Sequence, residues 1–163
     1  MRHCHCNRGG LGQFHGKFSD RQKAVYNAVN HVKKEATKLL VPGTLWKEYH
    51  VEVGNIMTSE LLTLGLLDKA DVQNEDKNWP AYKKYFMHGT SHHIGLDTHD
   101  YGLLHEPMQA NNVFTVEPGI YIPNEGFGIR LEDDVVIREK GEPFNLMGNI
   151  PIEVDEIEDL MQG

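Results

Sequence analysis

Between Ser19 and Leu40 apolar residues recur at Val25, Ala28, Val29, Val32, Ala36, Leu39 and Leu40, with polar or charged residues filling most of the gaps. That spacing draws one stripe along a helix and predicts an amphipathic α-helix. The start is marked by "SDRQ", a capping-box sequence in which Ser19 caps the first turn and Gln22 reaches back. Pro42 and Gly43 mark the end. A second helix is expected from about Leu45 to Leu67, burying Tyr49, Val53, Ile56, Met57, Leu61 and Leu64, with Gly54 and Gly65 as its weak points. The charged run Asp68 to Asn78 reads as a solvated loop. A short helix follows Pro80, which suits a first helical position. Beyond Phe86 the period changes from helical to two. "NNVFTVEPGIYIP" and "GFGIRLEDDVVIRE" alternate as strands, joined by a turn at 124–126. Helices first and strands after them predict an α+β fold.

Composition narrows this picture. A chain of 163 residues suits one domain with its own core. A net charge of −8 with no basic cluster repels phosphate backbones, so nucleic acid is excluded as an expected partner. The apolar run Leu61 to Leu67 falls far short of the roughly 20 residues that span a bilayer. No signal-peptide h-region follows Met1, so a cytoplasmic protein with no membrane partner is expected. Residues 1–18 show neither period, and residues 1–15 read as an atypical leader ahead of a domain at 16–163. Cys4 and Cys6, flanked by His3 and His5, are too few for a disulfide framework and lack a second ligand pair at zinc spacing.

Three segments carry candidate chemistry. In "GIRLEDDVVI" alternation puts Arg130 and Glu132 on one face of a strand and Ile129, Leu131, Val135 and Ile137 on the other. In "FTVEPGIY" Thr115 and Glu117 share a face opposite Phe114 and Val116, and Pro118 confines Glu117 to extended geometry. In "HGTSHHIGLDTHD" the residues Gly89, Thr90 and Ser91 oppose a helix. An extended chain then aligns His88, Thr90 and His92 and turns His93 to the other face. His99 returns after a bend at Gly95. Histidines beside two rigidly placed glutamates point to a metal or acid–base site. One imidazole with carboxylates suits Mn, Co, Zn or Fe rather than a thiolate metal, and two such ions sharing a carboxylate perform hydrolysis.

These three blocks, in this order and spacing, resemble the signature of Xaa-Pro aminopeptidases (aminopeptidase P), relatives of prolidase and methionine aminopeptidase with the pita-bread fold. "GKFSDRQKAVYNAV" and "NLMGNIPIEVDEIEDLM" are similar to that family's first catalytic-domain helix and C-terminal tail, so the resemblance runs over about residues 16 to 161. The resemblance implies His92, Glu117 and Glu132 as metal ligands, with Glu117 also general acid/base and Glu132 bridging two ions. It implies His88 and His99 as substrate-binding histidines that stabilise the carbonyl oxygen, and Arg130 as the residue that orients the site. The implied reaction removes an N-terminal residue that precedes proline. The implied partners are peptides with proline in second position, with self-association left open. The implied cofactor is a pair of divalent ions, Mn ahead of Zn, Co or Fe. Two further aspartate ligands belong before the first long helix in this family, and no aspartate precedes Asp20 here. The expectation is thus a pita-bread domain incomplete at its N-terminal hairpin and holding at most one ion. Two alternatives stand beside it: a prolidase-type dipeptidase and a non-catalytic pita-bread module that binds peptides.

Overall fold

A computed structural model describes residues 16–162. The expected leader and the Cys4/Cys6 pair lie outside the described residues. Helix α1 spans Asp20–Lys38, and its capping box is formed as expected: Ser19 accepts from the Gln22 N–H, and the Gln22 side chain accepts from the Ser19 N–H. Helix α2 spans Trp46–Thr63 and ends earlier than the apolar pattern suggested. The reason is Gly65, which takes a left-handed φ of 68° and lets the N–H groups of Gly65 and Leu66 turn back to the carbonyls of Leu62 and Leu61. The charged run is not all loop. Asp68 caps a short helix α3, Lys69–Gln73, and Asp71 reaches back to close a second capping box. After Pro80 the chain makes a 3-10 turn at Ala81–Lys84 rather than an α-helix.

Each of the two expected strands is cut in half. The first gives β1 (Val113–Val116) and β2 (Gly119–Ile122), and the second gives β3 (Phe127–Arg130) and β4 (Asp133–Val136). A short strand β5 (Phe144–Asn145) and a helix α4 (Val154–Gln162) complete the order. Strand β4 pairs antiparallel with β1 and β5, and β2 pairs antiparallel with β3. The hairpin between β2 and β3 turns through Pro123–Glu125, with Gly126 at a φ of 71° supplying the left-handed corner. The cut falls at Glu117–Pro118 on one arm and Leu131–Glu132 on the other. Pro118 has no N–H to give the ladder, but its carbonyl accepts the Leu131 N–H.

Helix α1 packs against α2, α4 and strands β1, β2 and β3. Its stripe of Val25, Val29, Val32 and Ala36 meets Phe114, Val116, Ile120, Ile129, Leu131, Val135 and Ile137 in one core. One charged pair lies inside it. Asp133 falls on the apolar face by strand parity, only 2% exposed, and meets Lys33 of α1, only 3% exposed, and the amide of Asn145.

Candidate metal centre

Strand register brings the candidate carboxylates together. The β1–β4 ladder ends on Val116 opposite Asp133, and the β2–β3 ladder begins on Gly119 opposite Arg130. Continuing either through the cut sets Glu117 opposite Glu132. Like charges directly opposite destabilise a strand pair. This pair therefore calls for compensation, and part of it is supplied by Arg130, whose guanidinium lies 3.5 Å from Glu117 and 3.8 Å from Glu132. Burial raises the Glu117 pKa above the ordinary carboxylate range, and Glu132 adds to the rise against the opposing pull of His92, Arg130 and His88.

The histidine segment lies along the free edge of β1. Glu117 N–H donates to Thr90 O at 2.7 Å, Thr115 N–H donates to His92 O at 3.1 Å, and Ile94 N–H donates to Val113 O at 3.4 Å. Thr115, only 1% exposed, adds a side-chain bond by accepting the His92 N–H at 3.1 Å. Alternation then does what the sequence predicted. His92 turns to the site, with Nε2 3.2 Å from Glu117 Oε1. His93 turns the other way, against Phe114 and Trp46, as part of the scaffold. A carbonyl can only accept, so His92 Nδ1 carries the proton it donates to His93 O at 2.8 Å, and Nε2 is the ring nitrogen turned toward Glu117.

The remaining candidates take separate places. His99, exposed on the bend after Gly95, stacks edge-on against His92 with ring centroids 4.1 Å apart. His88 sits one step away: Nδ1–H donates to Gly89 O, and Nε2 accepts the Tyr121 hydroxyl, each at 2.8 Å. Tyr121 escaped the sequence reading. The signal was present, because Thr115, Glu117, Gly119 and Tyr121 share one strand face. Side chains at Gly119 or at Gly128, the cross-strand partner of Tyr121, would run into the Tyr121 ring or hydroxyl, so both glycines make room for it. Burial raises the Tyr121 pKa, keeping its proton available to His88.

Do these residues fit a divalent ion? Two ligands on one ion at about 2.1 Å lie roughly 3.0–3.4 Å apart, and the His92 Nε2 to Glu117 Oε1 distance is 3.2 Å. The Nδ1 bond to the backbone leaves Nε2 as the nitrogen that faces the site, and a cation relieves the Glu117/Glu132 opposition. They fit one ion. Among the described residues, His92, His99 and Glu117 form a group whose ligand atoms all lie within 4.8 Å of one another, and no aspartate belongs to it.

Comparison with known proteins agrees with this chemistry. A family model for metallopeptidase family M24 matches residues 10–139. The chain belongs to this family. Among M24 relatives it is 39% identical over 158 residues to a Xaa-Pro aminopeptidase of Haemophilus influenzae, covering 90% of this chain and 36% of that protein. It is 40% identical over 158 residues to a Xaa-Pro aminopeptidase of Escherichia coli, covering 90% and 35%. The solved structure of Zn-substituted E. coli aminopeptidase P in complex with product superposes with a TM-score of 0.77 at 36% identity, over 90% of this chain and 36% of that one. The chain thus shares the α+β pita-bread fold of aminopeptidase P, and it spans about a third of the length of the curated relatives it matches. Membership of M24 implies divalent metal ions.

Proposed function

We infer that this chain carries the substrate-facing half of a Xaa-Pro aminopeptidase site, in which His92, Glu117 and Glu132 hold metal and His88, His99 and Arg130 serve the reaction. The observation that carries this reading is the contact of His92 Nε2 with Glu117 Oε1 at 3.2 Å, set at the break between the two strand pairs. A divalent ion there, Mn ahead of Zn, Co or Fe, supplies Lewis-acid polarisation of a peptide carbonyl and lowers the pKa of water.

The chain's own groups do the rest. Glu117 accepts the proton of the attacking water on a carboxylate oxygen and returns it to the leaving amine. Arg130 holds Glu117 and Glu132 in place and limits their mutual repulsion. His99, exposed at the mouth, is placed to donate to the carbonyl oxygen as charge develops there. His88, its ring fixed by Gly89 and Tyr121, lines the adjoining wall, where the residue after the scissile bond lies. The substrates are peptides with proline in second position, and the setting is cytoplasmic.

The test is cleavage of an Xaa-Pro peptide of four or more residues, with Mn²⁺ present. Glu117→Gln abolishes turnover while the chain still folds, as read by a cooperative thermal melt; normal turnover in that variant refutes the mechanism. Hydrolysis of Xaa-Pro dipeptides alone assigns the prolidase-type alternative. A second reading, a non-catalytic module that binds peptides, draws support from the metal group among the described residues containing three ligands and no aspartate. Peptide binding without cleavage under the same conditions selects it.

A further inference from the structure

The back of the histidine segment docks on α2. By alternation Gly89, Ser91 and His93 face away from the site, and on α2 the residues Trp46, Tyr49 and His50 share one helix face. The two rows meet in order. A side chain on Gly89 would meet the His50 ring at 3.8 Å, the Ser91 and Tyr49 hydroxyls lie 2.7 Å apart, and the His93 and Trp46 ring centroids are 5.7 Å apart. The outer two contacts are ring packing, which tolerates sliding. The middle one is a hydrogen bond, whose distance and angle fix position. Tyr49 is 1% exposed, edge-on to Trp46 and packed on His50, so its ring is held. Burial pushes its pKa above the ordinary tyrosine range, and the hydroxyl keeps its proton.

Ser91 lies between the two carbonyls that hold the segment to β1. On one side Thr90, 2% exposed, accepts the Glu117 N–H at 2.7 Å, and on the other His92 accepts the Thr115 N–H at 3.1 Å. His92 and Glu117, whose side chains meet at 3.2 Å, are therefore each one link from Ser91: His92 along the chain, Glu117 through Thr90. We propose that Tyr49 is a positioning residue of the metal centre, setting through Ser91 where the histidine segment sits on β1 and with it the spacing of His92 and Glu117. The assignment rests on His92 and Glu117 being ligands, as inferred above. It brings α2 into the site through a bond between residues 42 apart in sequence.

The test is Co²⁺ titration of the 163-residue chain, with amide exchange followed by NMR on the same samples. Tyr49→Phe and Ser91→Ala each weaken Co²⁺ binding about 10-fold, and the double variant binds no more weakly than either, because all three remove one bond. Ser91→Thr keeps a hydroxyl and restores most of the affinity. In Tyr49→Phe the Thr115 and Glu117 amides exchange about 10-fold faster, and those of β4 keep their rates. Tyr26→Phe is the control for stability alone: the buried Tyr26 hydroxyl donates to Ile152 O at 2.7 Å, tying α1 to the chain ahead of α4, and its loss leaves Co²⁺ affinity unchanged. Wild-type affinity in Tyr49→Phe and Ser91→Ala, with binding lost in His92→Ala, overturns the assignment and leaves the underlying site standing. Additive losses in the double variant, an equal loss in Tyr26→Phe, or unchanged exchange at Thr115 and Glu117 overturn it as well, since the effect is then not carried by this bond. A wild-type chain that binds no Co²⁺ refutes the metal site itself, and the place of Tyr49 in it.

Discussion

The two faces of the β1–β4 pair handle charge in opposite ways. On the back, Phe114, Val116, Leu131 and Val135 are buried, and the one carboxylate among them, Asp133, meets the Lys33 ammonium and the Asn145 amide. On the front, Glu117 and Glu132 face each other across the strands, and Arg130 reaches both from more than 3 Å away. Residues 132 and 133 are neighbours in sequence, yet one faces the proposed site and the other the core. The lesson is that a carboxylate in direct contact with an ammonium marks the stabilising face, and an under-matched one marks the face proposed to take a divalent ion.

The sharpest way to break this contrast is to unpair the back. Lys33→Met leaves Asp133 as a buried charge without its ammonium and costs about 3–5 kcal/mol in a urea melt. Lys33→Met with Asp133→Leu recovers most of the loss. A single variant costing under about 1 kcal/mol means that the back face does not depend on the pair.

A second experiment concerns the seam between the histidine segment and β1. Thr115→Val removes the acceptor of the His92 N–H and costs about 1–2 kcal/mol, while Thr115→Ser keeps most of it. Metal affinity follows the same order, because His92 is what the bond holds. Equal affinity in both variants detaches Thr115 from the site.

On the front the expected effect is smaller and of the other sign. The Glu117 pKa is raised, so the folded metal-free chain binds its proton more tightly than the unfolded chain does. Stability contributed by this group therefore falls as pH rises through the carboxylate range. Glu117→Gln stabilises the metal-free chain at pH 7 by about 1 kcal/mol or less, and the gain vanishes once wild-type Glu117 is protonated at low pH. A variant equally stable at all pH values removes the under-matched charge from the account.

Glu158 supplies the counter-case. Its carboxylate accepts from Lys23 Nζ and Phe18 N–H, each at 2.8 Å, and the Lys23 bond is the main cause of its lowered pKa. A depressed carboxylate stabilises above its unfolded pKa and loses that contribution as pH falls through its folded value. The docking of α4 on α1 therefore loosens on acidification, read as earlier amide exchange in Val154–Gln162. Glu158→Gln flattens that dependence.

Much of this was legible in the residues. Ser19 and Gln22 announced α1, and strand parity put Arg130 with Glu132, Thr115 with Glu117, and His92 opposite His93. The six candidate residues stood out in the three motif blocks, their individual roles came from the family resemblance, and the contacts join them: His99 to His92, Glu117, Arg130 and Glu132 in turn, with His88 reached through Tyr121. The division of each long strand was not legible as such. Pro118 signals a broken ladder on its own arm, but nothing local in "RLED" marks Leu131–Glu132, which breaks because its partner does. The Lys33–Asp133 pair was missed for a related reason. Parity already placed Asp133 with Leu131 and Val135, but its partner lies 100 residues away on α1, a pairing that only the packed fold reveals. Helix α3 was missed because capping by Asp68 and Asp71 outweighed a charged composition.

The central claim is that the His92/Glu117 face is a divalent-cation site. Its most direct test is metal stoichiometry by elemental analysis after dialysis against micromolar Co²⁺ or Mn²⁺, for the wild-type chain and for His92→Ala and Glu117→Gln. The account predicts one ion per wild-type chain and none in either variant. No bound ion in the wild type, or equal loading in all three, contradicts it.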